Sequence, residues 1–143
     1  MQSQVIDPAY EETEDPIERI FAIVKVYRKI LRESDFRDGS VVGKVAIEVS
    51  PNHPKLRKLI VTNVEALHET IENLLQNASD RLPKKTKPTA LAQFVVATLE
   101  GTLILARVSH RIESFDRAIS QLKGYFSRLI QERTDAERPK EES

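Results

Sequence analysis

His68 followed by Glu69 is the pair in this sequence that most suggests chemistry. A His-Glu pair opens the zinc-protease motif, in which a second histidine four residues after the first completes the metal-binding face of a helix. Glu72 occupies that position here, so the second ligand is missing and we reject a zinc site. His68 instead falls on the apolar side of a predicted helix. It is there either a histidine satisfied at the core boundary or a polar group that orients a ligand.

The other patterns expected of an enzyme or a metalloprotein are also missing. The sequence has no glycine-rich phosphate loop, no nucleophile elbow and no cluster of metal ligands. Cysteine is absent, which removes thiol nucleophiles and cysteine metal sites together. Paired carboxylates such as Glu69 and Glu72 fall on a helix face predicted to be solvated. We therefore predict that the chain is not an enzyme and carries no metal or cofactor.

The basic residues do not form a nucleic-acid-binding pattern. Four of them share the segment Ser79–Pro88, namely Arg81, Lys84, Lys85 and Lys87. This segment is short and lacks the interleaved aromatic residues on which bases stack, so a solvated loop is the simpler interpretation. Over the whole chain 22 basic residues balance 22 acidic ones, so no net field would draw it to DNA or to an anionic membrane.

Five side chains on the predicted helices are candidates for holding a small apolar ligand. They are Phe21, Tyr27, His68, Phe94 and Thr98. Their positions place them where the first, the long and the central helix would face one another, and ligand pockets are typically apolar with a few polar groups. Aromatic residues at helical spacing also fill ordinary cores, so a plain core is the alternative interpretation.

The spacing of the apolar residues predicts the helices that position these side chains. A period near 3.6 predicts four long helices, over about Pro16–Ser34, Leu56–Ala78, Thr89–Arg107 and Phe115–Gln131. Asp15, Pro16 and Glu18 form the pattern of a capped helix start. Ser40–Val49 is rich in β-branched residues, but no second strand is available to pair with it, so we interpret it as a short helix. The predicted fold is all-α, a bundle of five helices.

The two ends of the chain differ from this helical domain, which we place at residues 16–131. Residues 1–15 are acidic and are predicted to be a disordered lead-in, and residues 132–143 a disordered charged tail. The start of the chain has neither a basic nor an apolar region, so no signal peptide is expected. Polar residues interrupt the most apolar helix, which argues against a membrane span. The absence of cysteine suits the cytoplasm, where we expect the protein.

The central helix, Thr89–Arg107, is apolar over most of its circumference. Its polar residues Gln93, Glu100 and Arg107 are seven apart and form one narrow stripe, so the helix must be covered on two sides. A second copy of the chain is the predicted second cover. Glu100 is either a buried charge at that interface or a solvated group beside Arg107. The residues predicted at the interface come from the last two helices and are Ala97, Gly101, Leu103, Leu122, Phe126, Leu129 and Ile130.

Three segments, in this order, resemble a known family. Asp35–Glu48 reads D-F-R-D-G-x-x-x-G-x-x-A-x-E, Pro54–Arg57 reads P-x-L-R, and Leu91–Arg107 reads L-A-x-F-x-V-A-T-L-E-G-x-L-x-L-A-R. Together with the helix order they resemble the C-terminal regulatory domain of TetR-family transcriptional repressors, in the LmrA/YxaF-like branch. The resemblance covers about Pro16–Gln131.

The resemblance implies a dimer built from the last two helices of each copy, which form a four-helix bundle. It also implies a small, mostly apolar effector enclosed between the helices, whose binding changes the spacing of two DNA-reading heads. The family's helix-turn-helix, a domain of roughly fifty residues, is not recognised here because residues 1–15 are too short and too acidic for a recognition helix. Either the chain is an excised regulatory domain or the natural chain lacks the DNA reader. DNA contact is therefore expected only through a helix-turn-helix absent from this chain.

These observations lead to one hypothesis and one alternative. The hypothesis is the effector-sensing and dimerisation domain of a TetR-like transcriptional regulator. The alternative is a helical homodimeric scaffold protein that binds no ligand. An enclosed cavity of about 300 Å³ or more, reached by Phe94 and His68, would favour the first.

Overall fold

The computed structural model of the protein describes residues 2–37 and 53–140. Within these residues there are five α-helices: α1 (Asp7–Glu12), α2 (Pro16–Glu33), α3 (Pro54–Asn77), α4 (Pro88–Ser109) and α5 (Ile112–Glu137). A π-helical turn over Gln2–Ile6 precedes α1, and a 3-10 turn over Ser79–Arg81 follows α3. The described ranges contain no strand, and the predicted all-α fold is confirmed. The helix predicted over Ser40–Val49 lies outside the described residues. The five helices counted here are the other four predicted helices and α1, which was not predicted.

α2 begins as its sequence predicts. The Asp15 carboxylate accepts a hydrogen bond from the Glu18 N–H at 2.9 Å, and Pro16 is the first helical residue. An acceptor at this position satisfies one of the free N–H groups of the first turn. The inner face of α2 is fully buried at Ile20, Ile23 and other positions spaced by three or four residues. The cap fixes where α2 begins, and the spacing of its apolar residues decides which face points into the core.

α4 lies between α3 and α5 and contributes the largest share of the core. Its buried residues are Leu91, Ala92, Val95, Val96, Leu99, Thr102, Leu103 and Ala106. They pack with apolar residues of all the other helices in one continuous cluster. By length and composition alone α4 could cross a membrane, as many core helices could, and here one side of it is buried in the protein.

A tight turn connects α4 to α5. His110 adopts a left-handed conformation with φ of 52°, and the Arg111 N–H donates to the Ala106 carbonyl at 3.2 Å. Such a left-handed residue commonly ends a helix by satisfying its last carbonyls. A turn this short makes α5 run back along α4. Ser114 lies in the first turn of α5, where its carbonyl accepts a hydrogen bond from the Thr102 hydroxyl at 3.2 Å.

The structure differs from the predicted disorder at the N-terminal end. Residues 2–12 are helical, and Val5 and Ala9 are buried in the core. The Arg19 guanidinium lies 4.2 Å from the centre of the Tyr10 ring, and Lys25 pairs with Glu12 at 2.9 Å. The prediction of disorder rested on the acidic composition and overlooked Val5 and Ala9. These two apolar residues are four apart, so they lie on the same face of a helix and can be buried together.

The C-terminal helix is also longer than predicted. α5 continues to Glu137, whereas disorder was expected from Glu132 onward. Arg133 and Glu137 approach to 2.6 Å, and Gln131 bonds to Asp135 at 2.9 Å, both at i,i+4 spacing. Pairs at this spacing stabilise a helix that has no apolar face of its own. The predicted tail is therefore helical over its first part.

Candidate functional site

The five residues predicted to share a ligand pocket lie in separate places. Phe21 lines a groove between α2 and α5, Tyr27 lines a cavity between α2 and α3, and Phe94 lines a third cavity at the start of α4. His68 and Thr98 line none of these three. Phe94 and His68 are therefore not brought together in any of these three pockets.

The groove lined by Phe21 has a volume of about 850 Å³ and an apolar floor. The Phe21 ring meets Phe126 edge-on at 5.4 Å between centroids, and Lys123 lies 5.7 Å from the same ring. Arg28 donates two hydrogen bonds to Asp116, at 2.7 and 2.8 Å, and holds the pKa of this carboxyl below its ordinary value. Because these charges on the rim already pair with each other, they offer little to a charged ligand.

The Tyr27 cavity has a volume of about 410 Å³ and lies between the N-terminal turn, α2 and α3. Its apolar lining is Val5, Ile6, Ala66, Leu67 and the Tyr27 ring, and its polar lining is Asn63, Glu69, Thr70 and Asn73. Burial, reinforced by the negative charge of Glu100, raises the pKa of Tyr27 to about 12. The phenol is therefore neutral at physiological pH. Glu100 itself is half-buried, on the Tyr27 side of α4.

His68 connects α3 to the start of α4. Its Nε2 lies 3.1 Å from the Thr89 carbonyl oxygen, and its Nδ1 lies 3.7 Å from a Glu72 carboxylate oxygen. Because a carbonyl oxygen can only accept, Nε2 must carry the proton in this contact. The Thr89 hydroxyl in turn donates to Glu72. These contacts support the interpretation of His68 as a satisfied boundary histidine.

An apolar row runs along the outer face of α4. It consists of Phe94, Ala97, Gly101, Leu105 and Val108, and we refer to it as the α4 stripe. Phe94 is 48% exposed, Leu105 61% and Val108 75%. Tyr125 of α5 lies beside it, 37% exposed, with its ring 5.6 Å from that of Phe94. Contiguous apolar surface of this kind is typical of a protein–protein interface.

The predicted interface residues fall into two groups in the structure. Ala97 and Gly101 lie on the α4 stripe as expected. Four others are buried in the core of the same chain: Leu103, Leu122, Phe126 and Leu129. Ile130 is half-buried against that core. These five side chains pack within one protomer, Ile130 only in part.

Sequence reasoning missed Leu105, Val108 and Tyr125 as surface residues. The signal that could have found the α4 residues is the helical spacing, because positions 94, 97, 101, 105 and 108 follow one another at steps of three or four residues. The buried row of the same helix follows the same rule. The sequence therefore predicted two apolar faces without showing which one the protomer covers itself.

The described ranges contain no group of three or more histidine, aspartate or glutamate residues that could hold a metal ion. What they offer is an apolar outer surface, the groove at Phe21, and the two cavities at Tyr27 and Phe94. These features suit binding to a second chain or to a small molecule.

Comparison with known proteins gives a consistent result. The family model of the C-terminal domain of LmrA/YxaF-like transcriptional regulators matches residues 16–121. Two uncharacterized HTH-type transcriptional regulators, from two strains of Mycobacterium tuberculosis, are each 26% identical over 126 residues. The match covers 86% of this chain and 64% of each relative, so the chain spans less than two thirds of their length. No solved structure matches.

Proposed function

Because the chain belongs to the LmrA/YxaF-like branch of the TetR family of transcriptional regulators, we propose that it is the part of such a regulator that pairs with a second copy and senses a small apolar molecule. The family consists of transcriptional regulators and not of enzymes, which agrees with the sequence-based prediction. DNA binding would belong to a helix-turn-helix of the kind named in the relatives. The cytoplasm is the proposed location.

The α4 stripe is the observation that carries the proposed dimer. Its three large side chains, Phe94, Leu105 and Val108, are all about half exposed or more. Burying a side chain of this size contributes about 1.5–3 kcal/mol before the cost of association is subtracted. A second α4 stripe is a partner of matching chemistry, and α5 would flank each copy to give a bundle of four helices.

The spacing of the α4 stripe supports a particular register. Its steps are three, four, four and three residues, which is symmetric about Gly101. A two-fold interface requires that residue i meets residue j and that j meets i. With Gly101 on the axis, Phe94 would meet Val108 of the second copy, and Ala97 would meet Leu105.

The sizes of these side chains fit that register. A Cβ atom added to Gly101 would meet nothing within 4 Å in its own chain, so the space outside it is open. Two glycines at the axis let the backbones approach closely, while the larger residues at both ends hold the helices apart. Two helices packed this way would cross at an angle and touch most closely at Gly101.

The experiment that tests the dimer compares two leucine substitutions. Leu105→Glu places a charge in the α4 stripe, and sedimentation equilibrium at micromolar concentration is expected to show a dimer for the wild type and a monomer for this variant. Leu59→Glu is the matched control, because Leu59 is 55% exposed on α3 and lies outside the stripe. A monomeric wild type, or equal dissociation of both variants, would contradict the proposal.

The Tyr27 cavity is the site we propose for the effector. A volume of about 410 Å³ lies within the range of small-molecule sites. Its five apolar residues would contact the apolar body of a ligand, and its four polar residues would orient it. An occupant would touch Val5 and Ile6 as well as α2 and α3. It would therefore hold the N-terminal turn onto the domain, which gives binding a structural consequence.

A homodimeric scaffold without a ligand is the second candidate, and it is favoured because none of the three pockets described above brings Phe94 and His68 together. A screen of small apolar molecules for thermal stabilisation distinguishes the two. Sensing predicts molecules that raise Tm by a few degrees in the wild type but not in Ala66→Trp, which fills the Tyr27 cavity from an exposed position. A screen that yields no such molecule favours the scaffold.

A further inference from the structure

A third cavity opens at the start of the α4 stripe and belongs to neither proposed site. Its volume is about 570 Å³, and it lies between the loop that precedes α4, α4 itself and α5. Leu91 and Leu129 are buried and form its floor. The rings of Phe94 and Tyr125, edge-on at 5.6 Å, form its wall. Its interior surface is therefore mainly apolar.

The mouth of this cavity is cationic. Lys85 and Lys87 line it, and no acidic residue does. The other two cavities differ, because the groove at Phe21 includes Glu12, Glu18 and Asp116, and the Tyr27 cavity includes Glu69. Lys85 lies 2.7 Å from Glu132, so its charge is shared with that carboxylate. Lys87 is exposed beside the apolar floor and is the main cation available to an occupant.

We propose that this cavity binds an amphipathic carboxylate, a small molecule with an apolar body and one negative charge. The body lies against Leu91, Leu129 and the two aromatic rings, where it is removed from water. The carboxylate meets the Lys87 ammonium, because a charge-assisted hydrogen bond of this kind is stronger than one between neutral groups. The volume is sufficient for such a molecule, since small-molecule sites begin at about 300 Å³.

The site also adjoins the proposed dimer, and in this respect the inference rests on the proposed function. Phe94 belongs both to the cavity wall and to the α4 stripe, where its expected neighbour is Val108 of the second copy. A carboxylate bound against Phe94 therefore lies at the edge of the interface. If it contacts the second copy, binding and dimerisation strengthen each other by the same factor.

The test uses octanoate as the probe and octan-1-ol as its neutral match. We titrate each into the isotope-labelled full chain and follow the backbone amide signals by NMR. Saturable shifts are expected at Thr86, Ala90, Phe94 and Tyr125 with octanoate. The neutral alcohol is expected to bind about tenfold more weakly, because it cannot form the charged hydrogen bond with Lys87.

Three variants locate the binding. Lys87→Gln is expected to weaken octanoate about tenfold. Ala90→Trp fills the cavity from an exposed position and is expected to abolish binding. Lys84→Gln is the matched control, because Lys84 is exposed in the same loop but does not line this cavity. It should bind octanoate as the wild type does.

The site is refuted if octanoate produces no saturable shifts at these residues, if the alcohol binds equally well, or if Lys84→Gln weakens binding as much as Lys87→Gln. Sedimentation of the same samples separates this outcome from failure of the proposed function. A monomeric chain that still binds octanoate keeps the site and refutes the dimer. A dimer that does not bind octanoate keeps the proposed dimer and refutes the site.

Discussion

At the scale of single residues, Tyr27 shows the clearest chemical effect of burial. Its side chain is 1% exposed, and burial together with the charge of Glu100 raises its pKa to about 12. A neutral phenol can both donate and accept a hydrogen bond. Tyr27 therefore adds no negative charge beside its cavity, which suits an apolar effector.

The raised pKa of Tyr27 predicts a loss of stability at high pH. In the unfolded chain a tyrosine ionises near pH 10, whereas the folded chain keeps Tyr27 neutral to about pH 12. Between these values the unfolded state binds fewer protons, so the free energy of unfolding falls as the pH rises. We expect a fall of roughly 2–3 kcal/mol from Tyr27 across this window, with the full contribution present below pH 10.

Urea denaturation at a series of pH values measures this effect. Tyr27→Phe removes the ionisable group and should show a smaller fall between pH 10 and pH 12 than the wild type. Tyr125→Phe is the control, since Tyr125 is 37% exposed, and it should fall as the wild type does. The same fall in all three proteins would mean that Tyr27 does not carry the effect.

His68 illustrates what residue type alone leaves undecided. Its position on the apolar side of α3 was compatible with a ligand group or with a satisfied boundary residue. A contact with Thr89, twenty-one residues later, favours the boundary residue. The Thr89 carbonyl oxygen lies 3.1 Å from the Nε2 atom of His68. Such a partner depends on how α3 and α4 pack, which a spacing rule within one helix does not determine.

At the scale of the elements, the sequence predicted α2, α3 and α4 well. Each of these helices begins with a proline, at Pro16, Pro54 and Pro88. Proline suits the first helical position because a backbone N–H there has no hydrogen-bond partner within the helix, so its loss costs little. The apolar period then defines each buried face. Local signals of this kind need no knowledge of the neighbouring helix.

The elements at the two ends were predicted less well. Composition dominated the interpretation of residues 1–15, and the short apolar row of Val5 and Ala9 became significant only because α2 offers a surface to cover it. In the same way, α5 extends to Glu137 through polar pairs and a bond from Arg133 to the Leu82 carbonyl at 3.0 Å. Both extensions depend on contacts distant in sequence.

α5 was identified as a helix, and the role predicted for it in a dimer stays a prediction. Leu122, Phe126 and Leu129 form one apolar face, and a sequence cannot tell whether such a face meets its own chain or a second copy. The structure turns that face into the protomer's core. The surface left open is instead supplied by α4, at Phe94, Leu105 and Val108. The predicted surplus of apolar surface is thus present, but on different residues.

At the scale of the whole molecule, the features divide between two sides of α4. One side holds the core, with Tyr27 and its cavity beyond it, and the other side carries the α4 stripe. In the proposed regulator the first side would receive the effector and the second would meet the other copy. α4 does not line the Tyr27 cavity, but it packs against α3, which does. The contact between α3 and α4 would therefore link ligand binding to the geometry of the dimer.

The central claim is that two copies meet along the α4 stripe with Gly101 on the two-fold axis. The chain has no cysteine, so Gly101→Cys introduces a single thiol. On the two-fold axis this thiol would face the equivalent thiol of the second copy. A disulfide between them forms only when the Cα atoms of the two cysteines lie within about 7 Å. Val61→Cys is the control, because Val61 is 44% exposed on α3, away from the stripe.

The direct measurement is the rate at which each cysteine variant forms a covalent dimer under mild oxidation, followed on a non-reducing gel. We expect Gly101→Cys to cross-link rapidly. Val61→Cys should stay monomeric, and Ala97→Cys should cross-link slowly unless Leu105→Cys is added, since those two positions face each other in the proposed register. If Gly101→Cys cross-links no faster than Val61→Cys, the α4 stripe is not the dimer interface. If Ala97→Cys alone is faster than Gly101→Cys, the register about Gly101 is wrong.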